Sequence, residues 1–301
     1  MANINLKRNF IIGDEWLYYK IYSGPKSTDY ILTSILLPLI NKLLNEKTID
    51  KWFFIRYNDP DLHLRIRLHV QNIQRLIVVI SNFNKEVSPL VDKRIISKIQ
   101  IDTYKREIER YGEKTMEDSE NLFYLDSNCI IKFLDLLDGE EGEEYRWLFG
   151  LHSIDCLLND FGYNLKDKIE LLNALQTSYA NEFNLNKPLK YQLDTKYRMY
   201  REKIIFFLSS SINNEPELSP IVELIKKRSS ASTEVVKSIK TKLIQEEINS
   251  IIFSYIHMNL NRLFRTKHRE HELAIYYLLY KHYKSEVGKL KSSMDKKSFL
   301  N

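Results

Sequence analysis

The chain is short of the residues that interrupt regular structure: its 301 residues include eight glycines and seven prolines. That scarcity, with 44% hydrophobic and 28% charged residues, describes a well-packed, helix-leaning soluble protein. Two cysteines, Cys129 and Cys156, are too few for a disulfide framework and lack metal-ligand spacing, which suits a reducing compartment. No run approaches the ~20 apolar residues that span a bilayer. The opening MANINLKRNF lacks the apolar segment of a signal peptide. These absences lead to the expectation of a cytoplasmic protein. There is also no phosphate loop, no GxGxxG, no GxSxG and no HExxH, which disfavours an ATPase, a Rossmann dehydrogenase and an α/β-hydrolase. A net charge of +5 is mild and unconcentrated, so direct DNA binding is not expected.

The aromatic-rich segment EWLYYKIY, 15–22, reads as a strand. Residues 28–45 carry a helical stripe of Ile31, Ile35, Leu36, Leu39, Ile40, Leu43 and Leu44. WFFIRYNDPDLHLRIRLHV, 52–70, reads as two strands joined by a turn, 72–83 as a helix and 95–103 as a further strand. The order strand, helix, strand, strand, helix, strand predicts an α+β protein with an N-terminal ferredoxin-like split βαβ antiparallel sheet over 1–112. Beyond Gly112 helical patterns dominate, at 117–137, 143–160, 165–183, 196–210, 236–265 and 268–290, giving a mainly α-helical region over 113–301. The acidic GEEGEE, 139–144, reads as a turn and a helix start. Residues 209–233 read as mobile connections and 289–301 as a solvated tail.

Three segments carry chemistry. In the hairpin, Leu62, Leu64, Ile66, Leu68 and Val70 face one way and His63, Arg65, Arg67 and His69 the other. Pairing across a four-residue turn would set Arg56 opposite His63, Phe54 opposite Arg65 and Trp52 opposite Arg67. Three guanidiniums and an imidazole would then share a face, and like charges so placed need an anion, from the protein or from a ligand. The second segment, YKREIERYG, supplies Arg106, Glu107, Glu109 and Arg110 and ends on a glycine suited to a left-handed turn. The third, SYIHMNLNRLF, puts Ser254, His257, Asn261 and Arg265 on one helix stripe, so that His257 and Asn261 are able to act on one ligand. Taken singly, each segment also reads as an ordinary charged surface or, for His257, as an amide-capped histidine. His268 and His271 have helical spacing, but Glu270 and Glu272 beside them read as an exposed helix, and no metal site is expected.

Together, WLYYKIY, LLPLINKLL, WFFIRYNDPDLHLRIRL, TYKREIERYG and HMNLNR, in this order over 16–262, resemble the C-terminal domain of class I lanthipeptide dehydratases, the thiopeptide-type bacteriocin biosynthesis domain. The resemblance implies a glutamate-elimination domain. A separate glutamyl-tRNA-dependent subunit would glutamylate Ser or Thr of a precursor peptide. This chain, too short to hold that function as well, would remove the glutamate to leave dehydroalanine or dehydrobutyrine. The family's RxR pair falls on Arg65 and Arg67 and its histidine on His257. Its third arginine falls on Arg106, with Arg110 as the alternative. The family's frequent second glycine after RYG is replaced by Glu113.

The residues suit that reaction. Arg65, Arg67 and Arg106 offer bidentate donors for a carboxylate and for an enolate oxygen, and His257 moves a proton near neutral pH. Arg56, His63, Arg110, Asn261 and Arg262 are the expected substrate-binding neighbours, and no cofactor is needed. The expected partners are the glutamylated precursor, the glutamylating subunit and a cyclase of the same pathway. Two rival readings are a pyridine-forming cycloaddition relative and a non-catalytic subunit that binds precursor by strand addition to the aromatic first strand.

Overall fold

The computed structural model describes residues 6–137, 141–209, 212 and 214–298. Its strands are β1 (Asn9–Phe10), β2 (Trp16–Ser23), β3 (Lys51–Asn58), β4 (Leu62–His69), β5 (Ile96–Asp102) and β6 (Tyr104–Lys105). The helices α1 (Pro25–Tyr30) and α2 (Leu37–Asn45), bridged by a π-helical turn Ile31–Leu36, form the first crossover, and α3 (Leu76–Asp92) the second. There follow α4 (Ile108–Tyr111), α5 (Met116–Asp135), α6 (Glu141–Asp160), α7 (Leu165–Glu182), α8 (Lys187–Leu208), α9 (Ser219–Lys242), α10 (Gln245–Leu263) and α11 (His268–Ser298). The chain separates into two compact units, residues 1–138 with 230–266, and residues 139–229 with 267–301.

In the first unit the main sheet has the order β3-β4-β2-β5 with every neighbour antiparallel. With two helical crossovers, this is the expected ferredoxin-like arrangement. Alternation decides its faces. Leu64, Ile66 and Leu68 of β4 share a face with Trp52 and Phe54 of β3 and with Leu17, Tyr19 and Ile21 of β2, all buried. Tyr19 stacks on Phe83 of α3 with ring centroids 3.9 Å apart, so the helical crossover covers this side. Each such large side chain contributes about 1.5–3 kcal/mol on burial.

The hairpin register differs from the expected one. Asn58 pairs with Leu62, leaving three residues in the turn, and the ladder sets Phe53 opposite Arg67, Ile55 opposite Arg65 and Arg56 opposite Leu64. A slip of one residue changes the face of every side chain, and burial of Trp52 and Phe54 beside Ile66 and Leu68 selects the observed register. Arg56 therefore lies on the helix-covered face, away from His63, Arg65 and Arg67. The strand β2 is interior, hydrogen-bonded to β4 and to β5. An added peptide strand has no free edge there, which removes that form of the escort reading.

The two edges of the sheet differ. Against β3, α5 supplies side-chain acceptors, Ser127 Oγ for Phe54 N–H at 3.2 Å and Asn128 Oδ1 for the Trp52 indole Nε1–H at 2.9 Å, while Asn261 of α10 meets the backbone of Arg56. Beyond Asp102 the chain pairs its short β6 with β1 near the N-terminus.

The second unit is helical. Glu272 of α11, expected on an exposed face, is fully buried and receives hydrogen bonds from Tyr179 and Arg269. Lys168 Nζ binds Asp155 at 2.6 Å and Asn159 at 2.6 Å, joining α7 to α6. Residues 219–233 of the expected mobile stretch belong to α9, which runs on to Lys242, and the expected long helix 236–265 is broken after Lys242. The C-terminal stretch expected to be a tail continues α11 to Ser298. Of GEEGEE, residues 139 and 140 lie outside the described residues, and α6 begins at Glu141.

Candidate active site

On the face away from α3, cross-strand partners form rows. Asp102, Tyr18, Arg67 and Phe53 make one, and Gln100, Lys20, Arg65 and Ile55 the next. Lys98, Tyr22, His63 and Tyr57 make the third. Their period-2 sequences put the cations here and nowhere else on these strands, apart from Arg56.

Arg67 is 7% exposed, and its Nε and Nη1 have no hydrogen-bond partner among the described residues. Its Cζ lies 4.6 Å from the ring of Tyr18, 5.0 Å from Phe53 and 4.9 Å from Tyr104. The aromatic faces steady the cation without using its N–H groups, each worth about 0.5–2 kcal/mol. A buried donor without an acceptor costs about 1–3 kcal/mol, so this guanidinium is prepared for an anion. It lines a narrow pocket with Lys105, Glu107, Tyr111 and Met258, whose free space is ≈ 20 Å³, room for one water-sized group.

Arg65 is half-buried, its Cζ 3.4 Å from the centre of the Tyr57 ring, and its Nε–H donates to His63 Nε2 at 3.0 Å. His63 Nδ1–H in turn donates to Asp61 O at 2.8 Å. The imidazole is thereby held as the neutral Nδ1–H tautomer, stacked on Tyr22, and burial lowers its pKa further. Lys20 forms an ion pair with Asp102, which depresses the carboxyl's pKa.

Arg106 is placed differently. Its Nε–H and Nη2–H grip both oxygens of the fully buried Glu120 at 2.8 and 2.7 Å, and Nη1–H reaches Lys7 O at 3.1 Å. Tyr104 O–H donates to the same Glu120 at 2.8 Å while its ring faces Arg67. Arg110, exposed on α4, pairs with Glu107 at 3.2 Å. Gly112 ends that turn at φ 72° and ψ 149°, backbone essentially restricted to glycine, so the turn forms with Glu113 after it.

Helix α10 brings the HMNLNR residues to β3. Asn261 and Arg262 fasten the strand, Arg262 through its carbonyl, which accepts from Arg56 Nε–H at 2.9 Å. Arg56 also binds Thr28 Oγ1 at 2.6 Å and Asp29 at 2.5 Å. Arg262 is buried, donating to Ser127 Oγ and Met258 O. His257 is half-buried, one residue before Met258 of the Arg67 pocket. The structure thus brings Arg65, Arg67 and His63 together on one face, with Glu107 by the Arg67 pocket, and leaves Arg56 and Arg106 in internal ion pairs. Sequence reasoning missed Tyr18, Phe53 and Tyr104 around Arg67; only the alternation of the aromatic first strand signalled Tyr18. It also missed Glu120, one carboxylate among several in a helical pattern. Among the described residues, no group of three His, Cys, Asp or Glu side chains gathers as metal ligands, and no helix is long and apolar enough to cross a membrane.

The chain is 28% identical over 279 residues to nisin biosynthesis protein NisB of Lactococcus lactis subsp. lactis, covering 91% of this chain and 26% of NisB. It is 25% identical over 259 residues to subtilin biosynthesis protein SpaB of Bacillus subtilis, covering 84% and 24%. It therefore spans about a quarter of the length of the curated relatives it matches. Among solved structures, the tRNA-dependent lantibiotic dehydratase MibB from Microbispora sp. 107891 shares the fold at a TM-score of 0.73 and 17% identity, over 93% of this chain and 29% of MibB. The pyridine synthase TbtD from thiomuracin biosynthesis shares it at 0.58 and 12%, over 91% of this chain and 99% of TbtD. The family model described as "Lantibiotic biosynthesis dehydratase C-term" matches residues 16–283, and by that match over most of its length the chain belongs to the lantibiotic dehydratase C-terminal family.

Proposed function

We propose that this chain eliminates glutamate from glutamylated Ser or Thr of a ribosomal precursor peptide, leaving dehydroalanine or dehydrobutyrine. The observation that carries the reading is Arg67: a buried guanidinium, caged by three rings, with two N–H-bearing nitrogens lacking an acceptor among the described residues. Such a group recognises a carboxylate, and the row beside it adds Arg65.

In the reaction a base takes the Cα proton of the modified residue. The C–H electrons become the Cα=Cβ bond, the Cβ–O bond breaks, and its electron pair leaves on the glutamate carboxylate. The acidity of that leaving group (about pKa 4) makes charge stabilisation more useful than a strong acid. Arg67 and Arg65 supply it, and His257 moves the proton. Arg106, held by Glu120, serves as a positioning residue through Tyr104. Arg110, beside Glu107 of the Arg67 pocket, takes the place of the third arginine. The partners that follow are a glutamylated precursor, a separate glutamyl-tRNA-dependent subunit and a pathway cyclase.

The test is incubation of the protein with a precursor peptide already glutamylated on Ser or Thr, followed by mass. Loss of glutamate that disappears in Arg67→Ala and His257→Ala supports the reading. Glutamylated peptide left intact by folded protein overturns it. Formation of a pyridine ring from a bis-dehydroalanine peptide would instead favour cycloaddition.

A further inference from the structure

Tyr18 is 4% exposed, and among the described residues no hydrogen bond engages its hydroxyl oxygen. The residue stands in the row between Asp102 and Arg67. Its ring lies 4.6 Å from Arg67 Cζ and 5.7 Å from Lys20 Nζ. The charges of Arg67, Arg65, Lys20 and Asp102 all act on the phenol. Tyr19, the next residue, points to the opposite side and stacks on Phe83.

A buried ring with an open O–H is a rigid donor. Two χ angles fix it, the sheet holds its backbone, and two neighbouring guanidiniums mark where negative charge is to be placed. Burial raises the phenol's pKa against the opposing pull of the three cations, so the group stays protonated at neutral pH. It suits donation to a developing anion and does not suit proton abstraction.

We propose that the Tyr18 hydroxyl is a catalytic hydrogen-bond donor, giving its O–H to the ester oxygen that becomes carboxylate as the Cβ–O bond breaks, beside Arg67. This rests on the elimination reading given above. The proton lost from Cα goes to the base, the Cβ–O electron pair goes to the departing oxygen, and Tyr18 keeps its own proton. No co-reactant is required. The donor is worth most in the transition state, where that oxygen gains charge, so its removal lowers the rate more than the affinity.

The experiment uses the full chain and a synthetic peptide carrying one O-glutamyl serine. Single-turnover elimination by Tyr18→Phe is expected to slow on the order of 100-fold, with binding of the same peptide unchanged. In a second protein, 3,5-difluorotyrosine at position 18 preserves the ring and lowers the phenol's pKa. Its rate is expected to fall on the alkaline side at a pH where the wild type is still flat, a signature that a packing role would not give. Wild-type rate in Tyr18→Phe, or no alkaline fall in the folded fluorinated protein, overturns the role of Tyr18 alone. A wild-type protein that leaves the peptide glutamylated overturns the elimination reading and Tyr18 with it.

Discussion

Asn261 and Arg56, 205 residues apart in the chain, are joined by a side-chain amide that acts as a strand partner. Arg56 N–H donates to Asn261 Oδ1 at 2.9 Å, and Asn261 Nδ2–H donates to Arg56 O at 2.9 Å. The amide closes part of the outer edge of β3 where a further strand would pair. Replacing it leaves a backbone donor and acceptor unmatched at once. Asn261→Ala is expected to cost about 1–3 kcal/mol in urea unfolding. Asn261→Asp, which keeps the acceptor and loses the donor, is expected to fall between it and the wild type.

Arg67 should separate stability from activity. Its aromatic cage would accept an apolar side chain of similar length, which gives up the cation–π contacts but removes the cost of two buried nitrogens that lack an acceptor among the described residues. Arg67→Met is expected to keep or raise the thermal midpoint, while mass spectrometry finds the peptide still glutamylated. A large loss of stability would show that the guanidinium has a structural partner.

The Arg106–Glu120 pair should behave in the opposite way. Glu120→Ala leaves the buried Arg106 guanidinium with the exposed Glu117, 3.5 Å away, in place of a bidentate buried carboxylate and is expected to destabilise by up to about 3–5 kcal/mol. The double replacement Arg106→Met, Glu120→Leu is expected to recover much of that loss. It should still eliminate slowly, because Tyr104 loses the acceptor that orients its ring against Arg67. Denaturant unfolding and single-turnover rates measure the two effects separately.

Acid stability should depend on His271. Burial, with Lys196 and His268 adding to it, lowers its pKa from 6.5 to about 4, against the opposing pull of Glu270 and Glu143. Above pH 6.5 the folded and unfolded chains both hold it neutral. Between 6.5 and about 4 the unfolded chain takes up a proton that the folded chain refuses, so stability falls with falling pH, by on the order of 2–3 kcal/mol at most. Urea titrations from pH 7 to 4 should show that slope, and His271→Gln should flatten it. An unchanged slope in the variant would assign the acid sensitivity to other groups.

Much of the sheet was legible in the sequence because alternation is local. LHLRIRLH sorts its leucines and isoleucine from Arg65 and Arg67 whatever the rest of the chain does, and the strand–helix order restricts the topology to few choices. The helix around 28–45 was equally plain from its apolar stripe. Residues 219–233, the first part of α9, were not, because Pro220 and a serine-rich run weaken the local helix signal, and the helix is held by buried Val222, Ile225, Val236 and Ile239.

Of the candidate site, the sequence by itself determined that Arg65 and Arg67 share a face with His63, since residues two apart in a strand must do so. What only the tertiary structure decided was which cations are left for a ligand. One residue of register, selected by burial of Trp52 and Phe54, carried Arg56 to Asp29. A buried carboxylate from α5 took Arg106. Charges in a sequence carry no record of their partners, because ion pairs form across space between elements whose register and packing are set by the apolar residues between them.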